Sequence, residues 1–144
     1  MRYTLYFAYG SNMHEPQFAA RCPASFFLGR AKLPGHRFII NTCGDASVVP
    51  KKGGVVHGVL CALTAADERE LDRREGVRQK IYRRAWVEII LDSGDKIPAL
   101  IYIASVDREG PPRAGYLEKI LAGARRHKLP ATYLAEIRRW ARKA

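Results

Sequence analysis

"YFAYGSNM", residues 6–13, changes character halfway through. Tyr6 to Tyr9 are aromatic or small residues suited to an extended strand. Gly10-Ser11-Asn12 is a turn signal. Residues 3–9 therefore read as an opening strand, and a short helix is expected after the turn. Asn12 is expected to cap that helix, Glu15 to return the bond as a capping box, and Pro16 fits the first turn. Such a strand-to-helix turn leaves backbone N–H groups without intrahelical partners. With the helix dipole, those donors suit a small anion such as a carboxylate. Gly10, with no Cβ, would let a ligand approach the backbone. An ordinary capped turn accounts for the same residues, so the turn alone assigns no function.

Outward from this stretch, residues 25–33 and 36–41 read as strands separated by the turn pair Pro34-Gly35, and 46–50 as a short strand. "GGVVHGVLCAL", 53–63, is a further strand interrupted by Gly58. "TAADERELDRREG", 64–76, reads as a helix with Thr64 as N-cap, Arg73 and Arg74 late, and Gly76 as terminator. Strands at 81–91 and 96–104 are joined by the hairpin Asp92-Ser93-Gly94-Asp95. A helix is expected over about 113–127, where Tyr116, Leu117, Ile120, Leu121 and Ala124 recur at helical spacing. A last helix after Pro130 carries Tyr133, Ile137, Trp140 and Ala141 on one face. Strands outnumber helices and cluster centrally. That argues for one α+β domain over residues 1–144 with a mixed or barrel-like sheet, not a regular βαβ alternation.

With 144 residues and 47% hydrophobic content, the chain can bury a substantial core. No apolar run approaches the roughly 18 residues that span a bilayer, and Met1-Arg2-Tyr3-Thr4 leads into a strand with no signal-peptide pattern. A cytoplasmic protein with no membrane partner is expected. Cys22, Cys43 and Cys61 show no paired spacing and read as reduced, partly buried thiols. "HEPQF" lacks the second histidine of a zinc helix, and no metal site is expected. The net charge is +11, and residues 113–144 hold nine Lys/Arg against two Glu. Aromatics spaced for base stacking are missing there, so a solvated cationic helix face is expected instead of a nucleic-acid surface.

Glu75 stands out. It closes the 64–75 helix directly before Gly76, where the negative end of the helix dipole disfavours a carboxylate. It also follows Leu71 by four residues, so both project to one side. Leu71 is the one large apolar side chain inside this helix, so that side faces the protein. A partly buried carboxyl with raised proton affinity is what a general base near neutral pH requires. The alternative is a solvated member of the run "DERELDRRE" paired with arginines. Asp67, Glu68, Glu70 and Asp72 are expected at the surface or as caps.

Together, "YFAYGSNM" and "LDRREGV" resemble the γ-glutamylcyclotransferase family (γ-glutamylcyclotransferase-like, or AIG2-like). The similarity runs along almost the whole chain through Val56-His57-Gly58-Val59-Leu60, Tyr82, Tyr102 in "ALIYIA", and the closing "PP…GYLEKILAGARRHKLPATYL". The resemblance implies a small mixed β-barrel flanked by helices. It also implies a cofactor-free ring closure of a γ-glutamyl compound to 5-oxoproline, with release of an amine or amino acid. It places the γ-glutamyl moiety on Tyr9, Gly10, Ser11 and Asn12 with Met13 adjoining, makes Glu75 the proton acceptor, and sets Tyr116 and, less directly, Tyr102 beside the substrate. The leaving group stays open: an amino acid, a γ-glutamyl amine or a biosynthetic intermediate. A non-catalytic basic binding module on the same fold and a homodimeric assembly also stay open.

Overall fold

The computed structural model describes residues 2–143, with side chains through residue 141. Its five strands are β1 (Thr4–Ala8), β2 (Phe26–Ile40), β3 (Ala46–Leu63), β4 (Tyr82–Leu91) and β5 (Lys96–Ala104), closed into a barrel in the order β1-β3-β2-β4-β5. Neighbours run antiparallel except β1 and β5, whose parallel pairing at Tyr6–Leu100 closes the barrel. Helices α1 (Glu15–Arg21), α2 (Ala65–Arg74), α3 (Tyr116–Arg126) and α4 (Ala131–Arg138) flank it. This is the mixed barrel with helices that the resemblance implies. Among the described residues, no helix is long and apolar enough to cross a membrane.

Several local expectations hold for the reasons given. Thr64 Oγ1 accepts the Asp67 N–H at 3.2 Å and caps α2. Gly76 terminates that helix at φ 64°, a left-handed conformation that favours glycine. Leu71 is fully buried. The Asp92–Asp95 hairpin is closed by Gly94 N–H donating to the Leu91 carbonyl at 2.9 Å.

Other expectations need correction. Pro34-Gly35 does not separate two strands. It lies inside β2 as an irregularity between Pro34 and His36, with Gly35 at φ 75°. A bulge lets a strand of 15 residues bend around the barrel, where a turn would have ended it. For the same reason 46–50 and 53–63 form one strand, β3. The capping box is not formed. His14 precedes α1 without a side-chain cap, Asn12 sits in a one-turn 3₁₀ helix at Ser11–Met13, and Glu15 pairs instead with Arg126 at 3.0 Å. Helix α3 begins at Tyr116, after Gly115 at φ 77°. Helix α4 ends at Arg138; Trp140 is buried edge-on against Phe38, but Ala141 is exposed. Cys22 and Cys61 are buried, whereas Cys43 is exposed.

The core joins barrel residues such as Phe7, Leu33, Ile89 and Ile101 to Leu71, Ile120 and Ile137 from the helices. Each such side chain contributes on the order of 2 kcal/mol by leaving water. Helix α3 reaches the opening turn directly. A Cβ at Gly123 would lie 2.5 Å from the carbonyl carbon of Met13 and 2.6 Å from its oxygen. Alanine normally favours a helix over glycine by about 1 kcal/mol, but here the obstructing atoms are backbone and cannot step aside. Gly123→Ala is therefore expected to destabilise by roughly 2 kcal/mol, read as a lower urea midpoint at unchanged slope. An unchanged or raised midpoint would mean that this contact is looser than described.

Candidate active site

The opening turn and the end of α2 meet at one cavity of about 350 Å³, whose walls include Gly10, Ser11, Asn12, Glu75, Tyr102 and Tyr116. The closure of β1 against β5 brings these together. It carries the turn after Ala8 to the barrel end where α2 stops. The long sequence separation between Ser11 and Glu75 disappears in the tertiary structure.

The turn is held by its own side chains. Buried Asn12 donates through Nδ2 to Tyr6 Oη at 3.0 Å, and its Oδ1 accepts from Gln17 Nε2 at 3.2 Å and Arg21 Nη1 at 3.0 Å. Ser11 Oγ accepts from Gln17 Nε2 at 2.7 Å. Met13 and His14 donate to the carbonyls of Gly10 and Ser11. Among the described residues, the N–H groups of Ser11 and Asn12 have no acceptor. The anion affinity foreseen for this turn thus rests on two unengaged amides, because a single 3₁₀ turn followed by extended His14 builds no macrodipole. Met13 is fully buried under Gly123 and lies outside the cavity wall.

Glu75 caps the C-terminus of α2 and its N–H donates to the Leu71 carbonyl at 2.8 Å. Its carboxyl is pushed up to about 7. Burial is the main cause; Asp45 raises it further and Arg21 opposes both. The sequence argument leaned on the helix end, whereas burial heads the causes here. The late arginines do not neutralise Glu75. Arg73 and Arg74 both pair with Glu70, at 2.8 Å each. Among the described residues, no cation lies within ion-pair distance of the Glu75 carboxylate. The solvated, arginine-paired alternative does not describe this side chain.

Five tyrosines line the cavity, and their hydrogen bonds distinguish them. Tyr9 donates to the Tyr102 carbonyl at 2.6 Å, Tyr82 to the Ala46 carbonyl at 2.5 Å, and Tyr102 to Asp72 Oδ1 at 2.6 Å. Their protons are engaged, so Tyr9 and Tyr102 present ring walls. Tyr116 differs: its oxygen accepts the Ala46 N–H at 3.0 Å, leaving its own proton available. Tyr6 likewise accepts from Asn12. Burial pushes Tyr116 up to about 12, so it stays a neutral donor near pH 7.

Sequence reasoning passed over Arg21, Asp45 and Arg113, and read Tyr6 only as a strand residue and Tyr82 only as part of the resemblance; all five are cavity residues. No local pattern marks Arg21, Asp45 or Arg113 as site residues, since each comes from a different part of the chain. It also misplaced three acids of α2, Asp67, Glu68 and Asp72, which it put at the surface or as caps. Asp67 is buried and accepts from Ala24 N–H at 2.9 Å and Ser25 Oγ at 2.7 Å. Asp72 accepts from Arg84 Nη1 at 2.8 Å as well as from Tyr102, while Glu68 accepts from Arg84 Nη2 at 2.6 Å. These bonds fasten α2 to the barrel and so fix where Glu75 points.

Known proteins share the fold and the family pattern of this chain. The AIG2-like family model matches residues 55–137, more than half of the chain. The γ-glutamylcyclotransferase of Homo sapiens is 26% identical over 144 residues, covering 93% of this chain and 77% of that protein. Its Bos taurus counterpart is 27% identical over 139 residues, covering 90% and 74%. A solved γ-glutamyl cyclotransferase structure superposes with a TM-score of 0.88 at 26% identity, covering 95% of this chain and 87% of its own.

Proposed function

Because the chain belongs to the AIG2-like family, we propose that it is a γ-glutamylcyclotransferase, releasing 5-oxoproline and a free amine or amino acid without a cofactor. One observation carries the reading: Glu75, an unpaired carboxyl raised to about 7, lines the same cavity as Ser11 and Asn12, whose backbone amides are unengaged. The similarity to proteins of that name supports the reaction class.

In this reading the substrate's α-carboxylate rests on the Ser11 and Asn12 amides. Its α-ammonium lies toward Glu75, which removes one proton. The freed amine attacks the γ-carbonyl carbon of the same molecule, forming the ring C–N bond. As the original amide C–N bond breaks, the proton held by Glu75 passes to the departing nitrogen. The nucleophilic nitrogen gives up two protons in all, and both end on the released amine, which leaves as an ammonium ion. Nucleophile and electrophile share a short tether, so folding the substrate and moving protons are the enzyme's main tasks. The Tyr116 hydroxyl proton, free of structural duty, is placed to support the polar substrate.

The test is release of 5-oxoproline from a panel of γ-glutamyl dipeptides, γ-glutamyl amines and glutathione. Glu75 works only when deprotonated, and its carboxyl is raised to about 7. The expected kcat/KM therefore climbs with pH along an acid limb centred near that value and levels off above it. A profile already flat between pH 5 and 7 would remove Glu75 as the base. No 5-oxoproline from any member of the panel would remove the cyclotransferase reading.

A further inference from the structure

Three arginines line the cavity, and two have acidic partners. Arg74 binds Glu70 at 2.8 Å, and Arg113 binds Asp45 at 2.7 Å with its guanidinium over the Tyr116 ring. Arg21 is different. Half-buried at the end of α1, it donates through Nη1 to Asn12 Oδ1 at 3.0 Å, and no carboxylate among the described residues lies within ion-pair distance. That bond sets its guanidinium against the side chain of the turn whose amides are unengaged. Its field also reaches Glu75, where it is the main influence opposing burial. A half-buried arginine that faces a cavity without a counter-ion is a site for a carboxylate, since its planar donors match a carboxylate's two oxygens.

We propose that Arg21 is the residue that recognises the substrate's α-carboxylate, completing with the Ser11 and Asn12 amides one anion seat. The assignment rests on the cyclotransferase reading and goes beyond it. It makes the cavity selective for compounds with a free α-carboxylate beside the reacting amine. Arg21, at the end of α1, takes the carboxylate, and Glu75 receives the ammonium proton. The tyrosines 6, 9, 82, 102 and 116 that feel Glu75 are all neutral near pH 7.

The experiment compares γ-glutamyl-alanine with 4-aminobutyryl-alanine, which lacks only the α-carboxylate and closes to 2-pyrrolidinone. In the unmodified enzyme, the second should react with kcat/KM lower on the order of 100-fold, the cost of a lost charge-assisted contact. In Arg21→Met the preference should fall about 10-fold or more, to what the Ser11 and Asn12 amides supply by themselves, because only the first substrate loses a charged partner. Arg21→Lys should recover part of the preference. The acid limb of Arg21→Met should also shift to higher pH, since removing a cation favours the protonated Glu75. An undiminished preference in a folded Arg21→Met would overturn the assignment while leaving the cyclotransferase reading intact. If Arg21→Met does not fold, Arg21→Lys decides alone: full retention of both preference and acid limb would overturn it. Absence of lactam from every γ-glutamyl compound with unmodified enzyme would instead sink the underlying reading.

Discussion

Glu75→Gln is expected to lower kcat on the order of 10³-fold while leaving substrate affinity and the fold in place, since positioned general bases contribute about that much. Gln keeps the shape of the side chain and cannot accept the ammonium proton. The same substitution carries a second, independent signature in stability. The Glu75 carboxyl has a folded value of about 7 against an ordinary 4.5. Between those values the folded state holds more proton than the unfolded state, so stability falls as pH rises from about 4.5 to about 7 and then stays level. The accumulated loss is on the order of 3 kcal/mol. Gln carries no such titration. Glu75→Gln should therefore match the parent below pH 4.5 and exceed it in urea midpoint at pH 8. Lower stability from the residue proposed as the base is the expected trade at a reaction centre. Full turnover in Glu75→Gln would end the assignment. An unchanged stability difference across the pH range would show that the carboxyl is not held out of water.

Gly58→Ala is expected to have the largest effect on the fold. Gly58 lies in β3 opposite Ala31 of β2, where β3 also crosses the end of β1. A Cβ there would stand 2.4 Å from the Ala8 carbonyl oxygen and 2.8 Å from Cζ of Phe7. The Phe7 ring is fully buried and the carbonyl belongs to a strand paired on both sides, so neither can retreat cheaply. We expect about 3 kcal/mol of destabilisation by urea unfolding. Some loss of activity should follow, since Ala8 leads directly into Tyr9 and Gly10. Trimming the ring with Phe7→Leu should restore little, because the backbone contact remains. A double variant as stable as Phe7→Leu alone would place the conflict on the ring and not on the strand.

Much of the architecture was legible from short stretches. Thr64 caps its helix, Gly76 ends its helix in a left-handed conformation, and the Asp92–Asp95 turn joins its strands as read. These features depend on backbone torsions and donors within a few residues, which a short window of sequence contains. Pro34-Gly35 failed as a turn because its meaning lies elsewhere: β3 pairs through it and converts the dipeptide into a bend. Asn12 failed as a cap for a similar reason. Tyr6, Gln17 and Arg21 compete for its side chain and win it.

The sequence alone determined most of the elements but not all of their bounds, which turn would expose amides, and that Glu75 would project to the side of Leu71. It could not determine what Glu75 would meet there. Burial set its proton affinity, Arg73 and Arg74 turned away to Glu70, and Arg21 and Asp45 arrived from distant segments. Caps and turns are settled by neighbours along the chain. A cavity is settled by barrel closure and strand register, which add contacts only between residues far apart in sequence.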